Sequence, residues 1–85
     1  METQIGEITH YFDKVGVAVL KLSSELKVGD RIRIKGSATD FEQEISSMQI
    51  ERKPIESAKA GDDVGLKTDE PVKSGDKVYL VSVLN

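Results

Sequence analysis

Few of these residues combine into recognisable chemistry. His10 is the only histidine, so a multi-histidine metal centre is excluded and any histidine-based catalysis rests on that residue alone. It stands at the end of a short alternating stretch, where a solvent-facing or half-buried imidazole is the plainer reading. Asp62-Asp63 and Asp69-Glu70 are carboxylate pairs of the kind that share a proton or hold a divalent cation. Adjacent residues in an extended chain point to opposite faces, however, and both pairs lie in turn-like sequence, so solvated turn carboxylates account for them. With no cysteine, Gly-rich phosphate loop, nucleophile elbow or zinc-ligand spacing, the sequence implies no catalytic residue, no metal and no cofactor.

What remains is binding chemistry. Arg31, Arg33 and Lys35 alternate on one face of a strand and form a candidate phosphate-tracking strip, although outward cations are also how exposed strands stay soluble and unpaired. Arg52-Lys53 stands just before Pro54, at a strand end where loops present binding groups. Tyr11 and Phe12 offer stacking surface beside a cationic patch, or simply core. The formal charge of -3, from 15 acidic and 12 basic side chains with mixed signs, repels a phosphate backbone overall. Any contact with nucleic acid must come from a local patch.

The elements that position these groups follow from alternation. An 85-residue chain has room for one domain, taken as 1–85, with a modest core. The absence of cysteine fits a reducing compartment and predicts a cytoplasmic location; no run is apolar enough for a membrane helix, and Met1-Glu2-Thr3-Gln4 is unlike a signal peptide. Six strands are expected. The first, over 5–10, can pack from either face; the second, over 15–20, is nearly all apolar and reads as buried on both sides. The third covers 31–35 with Ile32 and Ile34 inward. The fourth covers 41–50, with a phase slip near Ser46-Ser47 that a bulge would repair, and Pro54 ends it. A helix is the rival over 42–50. The fifth and sixth strands cover 63–67 and 77–84.

A turn phrase introduces three of the strands: Gly29-Asp30, Gly61-Asp62 and Gly75-Asp76, each followed by alternating apolar residues. Unequal spacing makes it reused turn chemistry rather than a solenoid repeat. Six strands without a helix suggest a closed antiparallel barrel, which leaves no exposed edges.

Three stretches in order, 26–34, 58–66 and 73–80, with Val15-Gly16-Val17-Ala18-Val19 upstream, resemble the second domain of elongation factor Tu and related translational GTPases across nearly the whole chain. The pattern is also similar to the C-terminal domain of U32 family peptidases and to small standalone elongation factor-like proteins. The resemblance implies an all-β, six-stranded closed Greek-key barrel of the translation-protein type. It implies a non-catalytic module that contacts tRNA, another structured RNA, or a partner from translation or RNA modification. It places Arg52 and Lys53 where the family has an arginine and a lysine near the tRNA end, Asp63 at an asparagine position and Gln49 at a glutamate position. Arg31 and Arg33 form a secondary strip. No GTPase domain accompanies the barrel, so no GTP binding is expected of this chain. The alternative is a protein adaptor working with a separate U32 peptidase-type catalytic chain, docking through the face around the third and fourth strands.

Overall fold

The computed structural model describes residues 2–81, all in strands, turns and irregular segments with no helix among them. Ten strands appear in the order β1 (Glu2–Phe12), β2 (Val17–Leu22), β3 (Leu26–Lys27), β4 (Arg31–Lys35), β5 (Asp40–Glu44), β6 (Met48–Ile50), β7 (Lys53–Ile55), β8 (Ser57–Ala58), β9 (Asp63–Lys67) and β10 (Lys77–Val81). Eight form one antiparallel sheet in the order β5-β4-β10-β1-β2-β9-β6-β7, and β3 pairs with β8. The chain is therefore all-β and antiparallel, but its ladder ends at β5 and β7 rather than closing as six strands.

Each departure from the expected strands has a local cause. Gly16, with φ 68°, tightens a turn in which Val15 N and Gly16 N donate to Phe12 O, so β2 starts at Val17 and runs to Leu22. The fourth expected strand is two, because both backbone groups of Ile45 are diverted: its N–H donates to Asp30 O and its carbonyl accepts from Gly29 N. Pro54 does not end the β run. It lies in β7 opposite Gln49, one pair beyond the Ile50–Lys53 pair that closes the hairpin. That register turns its nitrogen to the free edge, where a missing donor is tolerated. The last expected strand is described as far as Val81, and 82–84 lie outside the described residues.

One hydrophobic cluster draws on β1, β2, β4, β6, β9 and β10, including Ile8, Leu20, Ile32, Ile34, Val64 and Val78, all fully buried. Strands about 4.8 Å apart can share one cluster only if the sheet curls. Register shifts between Gln4 and Gly6 and between Ile8 and His10 bend the long β1 for this purpose. Gly6 sits inside the bend, where a β-carbon would lie 2.6 Å from both Leu20 Cδ1 and the Lys21 carbonyl. Across the gap between β5 and β9, the buried Gln43 carboxamide donates to Lys67 O at 2.9 Å and accepts from Asp69 N at 2.7 Å. A side chain spans the seam where no ladder does.

The recurring turn phrase is one structure built three times. In each, the aspartate N–H donates to the carbonyl of the lysine three residues earlier: Asp30 to Lys27, Asp62 to Lys59, Asp76 to Lys73. The aspartate Oδ2 accepts that lysine's own N–H at 2.9, 3.0 and 2.9 Å. The intervening glycines take φ of 94–97°, the third position of a type II turn. Each turn then docks on a buried aliphatic residue, Ile45, Leu22 or Ile8. The docked residue's carbonyl accepts from the glycine and its N–H donates to the aspartate carbonyl.

Candidate partner-binding groove

The groove is built on the outer side of β2, β9 and β6. Val17 opposes Lys67, Val19 opposes Gly65 and Lys21 opposes Asp63, while Gln49 on β6 opposes Gly65 from the other side. Ala18, Leu20, Val64 and Leu66 fill the core, so strand alternation sends Val17, Val19, Gly65 and Gln49 outward. Val17 and Val19 are only half-buried, which corrects the expectation that this strand is covered on both faces. The resulting groove, of roughly 740 Å³, is floored by these valines, extended by the exposed Phe12 and Val15, and rimmed by Gln49, Glu51, Arg52 and Asp63. Gly65 keeps its centre low: a β-carbon there would lie 3.3 Å from Gln49 Cγ.

The structure brings Gln49, Arg52 and Asp63, three of the residues singled out in the sequence, to the rim of this one groove. Glu51 and Arg52 form the two-residue turn between β6 and β7, with φ of 51° and 67°. Both lie in the left-handed region that L side chains adopt at a cost of roughly 1–2 kcal/mol per residue. Arg52 is exposed and makes no hydrogen bond or ion pair among the described residues. Lys53 follows on β7, exposed, but does not line the groove.

Arg31 and Arg33 belong elsewhere. On β4, two strands from the β1–β2 pair, Arg31 Nε donates to Glu42 Oε1 at 2.8 Å. Arg33 holds Asp40 through Nε and Nη2 at 2.8 and 2.9 Å. The hydrogen bond from Arg33 holds the Asp40 carboxyl below its ordinary range, with the positive charges of Arg33 and Lys35 acting in the same direction. The expected cationic strip is therefore laced to the carboxylates of β5 and does not join the groove. His10 is exposed and packs its ring on Phe12, centroids 4.4 Å apart. Tyr11 packs against the core. No group of three or more His, Cys, Asp or Glu among the described residues could hold a metal ion. No helix of the described residues is long and apolar enough to cross a membrane.

The signal for the floor was present in the sequence as Val15, Val17 and Val19, an apolar set on the same strand face as no core residue. It reads as burial until Gly65 is seen opposite.

This arrangement is that of a small β domain with an apolar-floored groove, and comparison with solved structures gives the fold its class. The chain superposes on the C-terminal domain of a Geobacillus thermoleovorans protein assigned as a U32 peptidase. The TM-score is 0.87 at 18% identity, over 92% of this chain and 91% of that one. The selenomethionine form of the same domain gives 0.85 at 19% identity, over 89% and 96%. Among curated proteins, the chain is similar to an uncharacterized protease of Methanocaldococcus jannaschii, 43% identical over 79 residues that make up 92% of this chain and 19% of the relative. It is also 32% identical to a collagenase of Porphyromonas gingivalis, over 92% of this chain and 22% of that protein. The chain spans about a fifth of the length of these curated relatives. No protein-family model matches it.

Proposed function

We propose that this chain is a non-catalytic protein-binding domain of U32 peptidase-type systems, acting in the cytoplasm beside a U32-type catalytic chain. The observation that carries this reading is the 43% identity to a fifth of a protease, combined with the apolar-floored groove that the matching stretch holds. The Gln43 bridge supports treating the curled sheet as a Greek-key barrel of the translation-protein type, closed by a side chain. In the test, the tagged chain is recovered from nuclease-treated extract of its own cells. A U32 peptidase-type chain, identified by mass spectrometry, is expected to accompany it and to be lost with Val19→Asp. Its absence sinks the proposal.

A second reading, contact with tRNA or another structured RNA, is favoured by one observation: Gln49, Arg52 and Asp63 converge on a single groove, as the elongation-factor resemblance implies. In it Arg52 and Lys53 contact phosphate. Amide NMR titration with aminoacylated and uncharged tRNA at low and moderate salt tests it. Salt-sensitive shifts around residues 49–53 and 63 support it, and a silent spectrum at low salt removes it.

A further inference from the structure

The groove is sorted along its length. Its end nearest the β1–β2 turn is apolar, made by Phe12, Val15 and Val17, and its middle is Val19 and Gly65. The far end carries charge. Asp63 opens β9, and Glu51 and Arg52 form the β6–β7 turn, whose strand runs antiparallel to β9 with Gln49 opposite Gly65. The lining there holds the Glu51 and Asp63 carboxylates and the Arg52 guanidinium, with Lys21 opposite Asp63 on the same face, none with an ion pair among the described residues. On an extended ligand, side chains on one face recur every second residue, about 6.6–7 Å apart, which is also the step from the Val19–Gly65 pair to the Lys21–Asp63 pair.

Resting on the protein-binding reading, we propose that this groove receives an extended polypeptide segment. An apolar side chain of that segment seats on Val17, Val19 and Gly65, and a lysine or arginine two residues away meets Asp63 and Glu51. Charge chooses peptide over RNA. With Lys21 opposite Asp63, the polar end balances two carboxylates against two cations and so offers phosphate no cationic excess, and the chain's arginines on β4 are already engaged by Glu42 and Asp40. Gly65 supplies the depth for the apolar side chain, and the strained turn holds Glu51 at the lip without help from a ligand. Arg52 opposes the basic residue, so it selects against longer basic runs.

The test is an amide NMR titration of the whole chain with the capped tripeptide acetyl-Leu-Ala-Lys-amide, beside versions carrying serine for leucine or glutamate for lysine. Shifts are expected at Val17, Val19 and Gly65 with the first peptide, and both altered peptides are expected to bind more weakly. Asp63→Asn is expected to weaken the first peptide by about two- to fivefold, the size of a part-exposed ion pair, and Arg52→Gln to strengthen it by a similar factor. A short single-stranded RNA responds with the opposite signs if the groove serves phosphate. Saturable RNA binding with those reversed signs overturns the proposal, and so does silence with all three peptides. The U32 partner reading fails separately. If a U32-type chain is recovered from extract but is indifferent to Asp63→Asn and Val19→Ser, the peptide assignment falls while that reading stands. Peptide binding with the expected signs and no recovered chain gives the reverse.

Discussion

The three Gly-Asp turns and the Glu51-Arg52 turn face the same problem, a tight reversal that needs positive φ, and meet it in opposite ways. At Gly29, Gly61 and Gly75 the left-handed backbone falls on glycine, and an aspartate closes each loop back onto its lysine. At the β6–β7 hairpin it falls on a glutamate and an arginine, where Asn-Gly is the favoured pair. The first set is satisfied internally and docked on the core through Ile45, Leu22 and Ile8. The second leaves its charged side chains unpaired at the lip of a groove. Strain stands at the rim of the groove and is absent where the scaffold is held together.

The largest effect that tests this contrast should come from Asp76→Ala. Asp76 is the buried member of the three turn aspartates, 5% exposed, and it fills the space that the missing side chain of Gly36 leaves open. Losing its charged hydrogen bond to Lys73 N should lower stability by about 2–3 kcal/mol in urea unfolding. A change below half a kcal/mol would show that the turns are not locks. Next, Gly61→Ala forces an alanine to φ 94° with open space around it, so backbone strain alone acts. A loss of about 1–2 kcal/mol is expected. A smaller change of opposite sign should follow Glu51→Asn with Arg52→Gly, which installs the preferred turn pair and should raise stability by about 1 kcal/mol while weakening whatever the groove binds. Equal or lower stability would mean that Glu51 and Arg52 are held by interactions that offset their strain.

The smallest effect concerns Asp40. Its carboxyl is held below the ordinary value of 3.8, so the contribution of its pair with Arg33 is present above that pH and is lost as pH falls through the lowered folded value. An NMR titration should find Asp40 below 3.8, and Arg33→Gln should return it toward that value. An Asp40 that titrates normally in both proteins would show the β4–β5 pairing to be loose, returning Arg33 to the pool of available cations.

The sequence made much of this scaffold legible because turn chemistry and two-residue alternation are local. The strand over 31–35 was read to the residue, and the strand over 63–67 likewise. Where long-range bonds redirect the backbone, local reading lost its grip. Ile45 is drawn out of its strand by a turn fifteen residues earlier in the chain, which no window over 41–50 contains. Pro54 signals a stop unless one knows that β7 lies at an edge. At the candidate site, the resemblance singles out the rim groups Gln49, Arg52 and Asp63 in the sequence but not the floor between them. Val17 and Val19 read as core until Gly65 and Gln49 are placed above them by a pairing that spans more than forty residues. That Arg31 and Arg33 pair with Glu42 and Asp40, away from the groove, is likewise outside a local reading, because those partners come from the neighbouring strand.

The Gln43 bridge sets how this sheet would come apart. No backbone rung crosses from β5 to β9, so the side chain that joins them is a single carboxamide with two hydrogen bonds, while β5 stays paired with β4 and β9 with β2 and β6. The outer edge of β5, which no ladder covers, is of the kind that recruits other chains into aggregates. That strand carries the exposed carboxylates of Asp40, Glu42 and Glu44, the first two paired with Arg33 and Arg31 of β4. A chain adding to this edge would have to settle against charged side chains, a dense mixed-charge surface that discourages polymerisation at the open end of the sheet.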